Sequence, residues 1–156
     1  MRARASQDLE EFEAQTLELA SRRAQWAEIF SIQQVETPVS FEANRLKQLK
    51  TRRTRGVALR VAVDGRVGLA STTRLESPAD LVEDALAVAA LGASAEYILP
   101  AHIPPQAVSI FDPAIEHLSV ERMVELGQRM IDRARAENSD LLCEADLDRE
   151  VLTVRL

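Results

Sequence analysis

Few side chains in this sequence are of types that do chemistry, and their spacing decides what they could do. There are two histidines, His102 and His117, and one cysteine, Cys143. A helical zinc site needs two histidines on one helix face, with a glutamate to activate the metal-bound water. His102 lies among Pro100, Pro104 and Pro105, His117 sits just before a predicted helix, and neither is followed by glutamate. Both read as surface or capping histidines. Cys143 is followed by Glu144 and has no histidine or cation close by in sequence to lower its pKa, so it reads as a buried structural thiol. Ser71, Thr72 and Thr73 lack the Gly-x-Ser-x-Gly setting of a nucleophile elbow and read as strand-end hydroxyls. Gly56, Gly65 and Gly68 do not form a phosphate-binding loop. No catalytic residue and no metal ligand is expected in this chain.

The one charge anomaly is the stretch 45–60. It holds Arg45, Lys47, Lys50, Arg52, Arg53, Arg55 and Arg60 without an acid among them. Such a run could grip phosphates, but it has no aromatic residue to stack on bases, and the chain as a whole carries a net charge of −6. Two other roles suit it better. One is a solvated strand edge kept from aggregating by its charges. The other is a docking surface for an acidic partner subunit or for peptide carboxylates. The run Glu137, Asp140, Glu144, Asp146, Asp148 and Glu150 is complementary to it, within the chain or between subunits.

The elements that must carry these residues follow from periodicity and punctuation. Residues 6–26 repeat apolar side chains at helical spacing (Leu9, Phe12, Leu19), with Ser6 as N-cap, and predict a helix packed on a sheet. Residues 28–36 predict a strand, Thr37-Pro38 a break, and Val39, Phe41 and Leu46 a second strand. Residues 54–76 predict a hairpin turning at Asp64-Gly65. A two-residue loop there would set Val63 opposite Arg66 and Val61 opposite Gly68, mixing side-chain types. A three-residue loop, Val63-Asp64-Gly65, pairs Val61 with Val67, Leu59 with Leu69 and Val57 with Ser71. It sorts bulky apolar residues from a small face holding Ala58, Ala62, Gly68 and Ala70 with Arg60 and Arg66, and is the register expected. Ser77, Pro78 and Asp80 open a second helix through Leu81–Ala93, ended by Gly92 and Ser94. A Ser119-initiated helix to Asn138 follows, then two strands, 141–147 and 151–156. The fold class is therefore α+β: an antiparallel sheet meander packed by helices, with a C-terminal helix followed by two strands.

The order strand, Gly56-Val57-x-Leu59-Arg60-Val61, Asp64-Gly65 turn, Gly68-x-Ala70-Ser71, helix resembles the N-terminal domain of the TldD/PmbA family. These are metallopeptidase subunits also described as modulators of DNA gyrase. The alanine-rich helix, the Pro-rich connection, Phe111-Asp112-Pro113 and the Ser119 helix extend the likeness over residues 25–156. One departure is Ala58, where the family has a glycine. The resemblance implies an N-terminal α+β domain over residues 1–115 and the beginning of a central domain over 116–156. It implies a zinc site of the form His-Glu-x-x-x-His in the intact enzyme. That motif is not in this sequence, so no cofactor is expected here. It also implies a homo- or heterodimer with a TldD/PmbA-type subunit, a peptide substrate, and a scaffold and peptide-cavity role in peptide maturation or antitoxin degradation.

Composition is consistent with this. The 156 residues are 46% hydrophobic and 28% charged, enough for a core, while aromatics are only 4%, so aliphatic packing must dominate. A single cysteine fits a reducing compartment, and MRARASQDLEEFEAQ has no apolar run behind its charges to act as a signal peptide. A cytoplasmic protein with no membrane or nucleic-acid partner is expected. The closing strand runs out at Leu156 without a polar tail, which reads as a fragment or shortened form of a longer chain. The rival readings are a stand-alone binding module pairing with a full-length catalytic subunit, a nucleic-acid or gyrase-associated regulator, and an unrelated α+β domain.

Overall fold

The computed structural model describes residues 2–94 and 106–156, residues 2–6 by their backbone only. His102, Pro100, Pro104 and Pro105 lie outside the described residues. In chain order the elements are α1 (Arg2–Ser21), β1 (Trp26–Glu42), β2 (Arg45–Leu49), β3 (Arg52–Val63), β4 (Arg66–Thr72), α2 (Pro78–Leu91), α3 (Pro113–Glu116), α4 (Val120–Glu137) and β5 (Ala145–Arg155). The strands form a five-stranded sheet in the order β2-β1-β3-β4, with β5 also pairing β1. The α+β class holds. Three details differ from expectation. The order is not a sequential meander, because β1 lies between β2 and β3. Thr37-Pro38 does not break β1, which runs through it for 17 residues. The two closing strands are one, because the alternation Ala145, Leu147, Arg149, Val151 never loses its period of two.

By contact the chain divides into two compact units, each discontinuous in sequence. Unit 1 comprises Met1–Gln33, Thr54–Pro105 and Thr153–Leu156, and unit 2 comprises Gln34–Arg53 and Gln106–Leu152.

In unit 1 one sheet face carries Ile29, Val57, Leu59 and Val61, buried beneath Leu9, Phe12 and Ala20 of α1 and Leu81, Val82, Ala85 and Ala89 of α2. Each such aliphatic side chain, fully buried, stabilises the fold by about 1.5–3 kcal/mol. α1 begins ahead of Ser6, which lies inside the helix, and it ends at Ser21, so Arg23 and Ala24 fall in the turn that follows. α2 starts as its residues dictate. Ser77 caps it, accepting from the Asp80 N–H at 3.3 Å, and Pro78 takes the first position. Arg23 and Glu83 form a two-armed ion pair, with one Nη2–Oε2 distance of 3.2 Å. The Arg23 guanidinium, by its hydrogen bonds first, holds the Glu83 carboxyl below its ordinary value.

The β3–β4 hairpin adopts the register set aside above. Val63 faces Arg66, Val61 faces Gly68, Leu59 faces Ala70 and Val57 faces Thr72. Asp64 (φ 50°) and Gly65 (φ 70°) are both left-handed, which is the two-residue turn whose twist matches the strands. The physical reason is the helix. A Cβ built on Gly68 would lie 2.0 Å from the Ala85 carbonyl oxygen and 2.4 Å from the Ala89 nitrogen. The buried face thus sets large residues on β3 against small ones on β4, and α2 settles onto the small strand. Sorting large with large ignores that third layer. The close backbone approach falls at Gly68, not near Ala58.

In unit 2, Val39 and Phe41 of β1 pack with Met123 and Ile131 of α4, bordered by Cys143, Ala145 and Leu147. The β1–β2 turn, Ala43-Asn44, is also left-handed at both residues (φ 47° and 68°). Asn44 holds the chain before β5: its side chain donates to the Leu141 carbonyl and accepts from the Cys143 N–H, each at 2.9 Å. Ser119 caps α4 through the Arg122 N–H at 3.1 Å, as its sequence predicts.

Candidate functional site

The sheet face of unit 1 turned away from the helices is a surface that could receive a ligand. Strand alternation puts Trp26, Glu28, Phe30 and Ile32 of β1 on it, with Ala58 and Arg60 of β3 and Leu69 and Ser71 of β4. Phe30 and Leu69 remain 42% and 57% exposed, so this face is apolar yet open among the described residues. A groove of about 300 Å³ runs between Phe30, Ile32, Gly56, Ala58, Ser71 and Thr73. Its walls are mainly apolar, and Ser71 and Thr73 add hydroxyls at one end. That composition suits an extended apolar segment with a few backbone hydrogen-bond partners.

The groove is held from behind and from one side. Behind it, the Gly68 contact fixes β4 against α2. Beside it, Arg60 stacks over the Trp26 ring at 5.7 Å and forms an ion pair with Glu28. Arg60 is thereby engaged within the chain. Thr72 is not free either: its Oγ1 accepts from the Arg74 N–H at 3.0 Å and donates to the Arg74 carbonyl at 3.1 Å, which turns the chain at the end of β4.

The run of cations is divided between the units. Arg55 and Arg60 belong to unit 1; Arg45, Lys47, Lys50, Arg52 and Arg53 belong to unit 2. Lys47 pairs with Glu42, and all five in unit 2 are exposed. Cys143 is half-buried at the border of the unit 2 core. His117 is exposed and forms the C-cap of α3.

Residues 27–89 match the model of a protein family described as PmbA/TldA metallopeptidase domain 1. The match runs from the start of β1 through nearly all of α2, the elements that build the groove. The match supports, over residues 27–89, the resemblance to the TldD/PmbA family read from the sequence. Solved structures agree in fold. A modulator of a DNA gyrase from Thermotoga maritima superposes with a TM-score of 0.71 at 18% identity, covering 94% of this chain and 35% of that one. TldE from Thermococcus kodakarensis gives 0.74 at 18% identity, covering 92% and 36%. A modulator of DNA gyrase from Bacteroides thetaiotaomicron gives 0.72 at 15% identity, covering 92% and 36%. This chain spans about a third of the length of each. Comparison with curated proteins gave no match.

The TldD/PmbA resemblance implies a zinc site in the intact enzyme. The donor set does not fit it. His117 is an isolated cap, and among the described residues no group of three or more His, Cys, Asp or Glu side chains is placed to hold a metal ion. No helix among the described residues is long and apolar enough to cross a membrane.

One residue that sequence reasoning passed over stands out in unit 2. Arg149 points inward from β5, donating to the Glu116 and Leu118 carbonyls and to Thr37 Oγ1 at 3.2 Å. Thr37 Oγ1 lies 3.2 Å from Thr51 Oγ1. The signal was available: Arg149 shares its parity with Ala145, Leu147 and Val151, all partly buried.

Proposed function

We propose that this chain is a non-hydrolytic, peptide-facing part of a TldD/PmbA-type subunit. The observation that supports the reading is the open groove between Phe30, Ile32, Ala58 and Ser71 on the face not covered by α1 and α2. Its apolar walls and terminal hydroxyls would hold an unfolded peptide in extended form, with side chains alternating between groove and solvent. The hydrolytic zinc would come from residues outside this sequence, and the chain would serve as scaffold and cavity wall. In this reading the protein works in the cytoplasm, as a homo- or heterodimer with a TldD/PmbA-type subunit, on unfolded peptides in maturation or antitoxin degradation. The basic run, apart from Arg60, would lie near acidic partners or peptide carboxylates.

The test is a fluorescence anisotropy titration of a labelled, unstructured, apolar-rich peptide with the chain and with Phe30→Ser. Phe30 is half-exposed, so the substitution should leave the fold intact. Binding is expected, weakened roughly tenfold by the loss of apolar contact worth about 1.5 kcal/mol. Equal binding by both proteins, or none by either, would reject the groove as a peptide wall.

A further inference from the structure

The floor of the unit 1 groove is graded along β3. Gly56, Ala58 and Arg60 alternate with Val57, Leu59 and Val61, which are buried beneath the helices. The three therefore stand in one row on the open face, about 6.6 Å apart along the strand. On one side of the row are Phe30 and Ile32 of β1; on the other is β4, with Ser71 opposite Ala58 and Leu69 opposite Arg60. Between these walls Arg60 brings a long side chain, held by Glu28 and by the Trp26 ring, and the groove stops short of it. Ala58 brings a methyl group and Gly56 brings nothing, so the hollow of about 300 Å³ is deepest over Gly56.

A glycine inside a strand weakens it, and it marks a bulge, a bend or a place where another molecule's backbone comes close. Nothing within the fold calls for glycine at position 56. Its φ is not positive, unlike that of Gly65. A Cβ there would meet the Thr72 carbonyl oxygen at 3.8 Å and Ile32 Cγ1 at 3.9 Å, ordinary contacts, whereas at Gly68 a Cβ would strike α2. What the missing side chain does is deepen the groove. We infer that Gly56 is its specificity-determining residue, admitting one bulky apolar side chain, aromatic or aliphatic, from an extended peptide. That side chain sits between Ile32 and β4, over the bare Gly56 backbone. The next side chain of the peptide on the same face falls about 6.6 Å away. If it lies over Ala58 it must be small, because the floor is shallower there and Arg60 closes the end. The inference rests on the peptide-binding reading of this groove and says which peptides it prefers.

Anisotropy titrations of the full 156-residue chain test it, using labelled, unstructured alanine-serine peptides that carry Phe, Leu or Ala at the central position. The parent is expected to bind the Phe and Leu peptides about tenfold more tightly than the Ala peptide, the factor that burying one large apolar side chain supplies. Gly56→Ala should narrow that preference, and Gly56→Val, which fills the hollow, should abolish it. Both variants should hold the Ala peptide as well as the parent does. Should Gly56→Val fail to fold by circular dichroism, Gly56→Ala carries the test, because its methyl group has only ordinary contacts. A parent that binds all the peptides equally, or a preference that the folded variants keep in full, would overturn the inference and leave the groove as a peptide wall. Failure of the parent to bind any of them would remove the groove reading and this inference together.

Discussion

Replacing Gly68 with alanine should be among the most destabilising single methyl additions available in unit 1. The added Cβ would meet the Ala85 carbonyl oxygen at 2.0 Å, the Ala89 nitrogen at 2.4 Å and the Ala89 Cα at 2.9 Å. All three are backbone atoms, so no rotamer change relieves the clash; α2 must move off β4. Overpacking of this kind costs about 1–3 kcal/mol and occasionally more, and a rigid backbone target argues for the upper end. At about 3 kcal/mol, and 2–4 °C per kcal/mol for a chain of this size, Tm should fall by roughly 6–12 °C. Gly56→Ala is the internal control. Its Cβ would sit 3.8 Å from the Thr72 carbonyl oxygen and 3.9 Å from an Ile32 carbon, ordinary contact distances. Its effect should lie within about 1 kcal/mol of zero, with reduced unfolded-state entropy favouring stability. Thermal unfolding followed by circular dichroism compares the two. If both variants unfold within a degree or so of the parent, the close seating of α2 on β4 is wrong. So is the hairpin register, because the three-residue loop would turn Gly68 to the open face.

Other outcomes follow from single contacts. Ala43 is held at φ 47°, where an L side chain is strained, so Ala43→Gly should raise stability by about 1 kcal/mol in a urea titration. Arg149→Met should cost about 1–3 kcal/mol, because the Glu116 and Leu118 carbonyls lose their donor; hydrogen exchange should quicken at the end of α3 while α2 is unchanged. Ser77→Ala should cost about 1 kcal/mol through loss of the α2 cap, whereas Ser77→Asp should cost little. The Glu83 carboxyl has its pKa lowered by Arg23, so its contribution is present above the unfolded-state pKa and disappears as pH falls through the folded value. Acid unfolding of Glu83→Gln should therefore converge on that of the parent at the acid end and diverge as pH rises past the carboxylate range.

Much of the architecture was legible because local chemistry and the tertiary structure agreed. Ser77-Pro78-x-Asp80 and Ser119 mark helix starts by hydrogen bonds that need no distant partner. Asp64-Gly65 marks a turn by backbone preference alone. What was misread depended on layers the strand pattern does not contain. The register turned on α2 lying against Gly68. The break at Thr37-Pro38 failed because Thr37 is fully buried and accepts from Arg149, more than a hundred residues on, which carries the strand through the proline. The same side chain joined two predicted strands into β5. The open face of unit 1 was visible only in part: Arg60 appeared as a free docking cation, yet Trp26 and Glu28, at strand spacing on the neighbouring β1, already hold it. A family pattern in the hairpin, supported by the domain match over residues 27–89, gave a direction where the scarce histidines and lone cysteine offered no chemistry to follow.

The most direct measurement is the fate of an unstructured, labelled peptide incubated with the chain and added zinc, read by anisotropy and by mass spectrometry on one sample. The account predicts a bound peptide that stays intact for as long as it is followed. Cleavage that tracks the chain through purification and stops with a chelator would contradict it, as would a peptide that never binds.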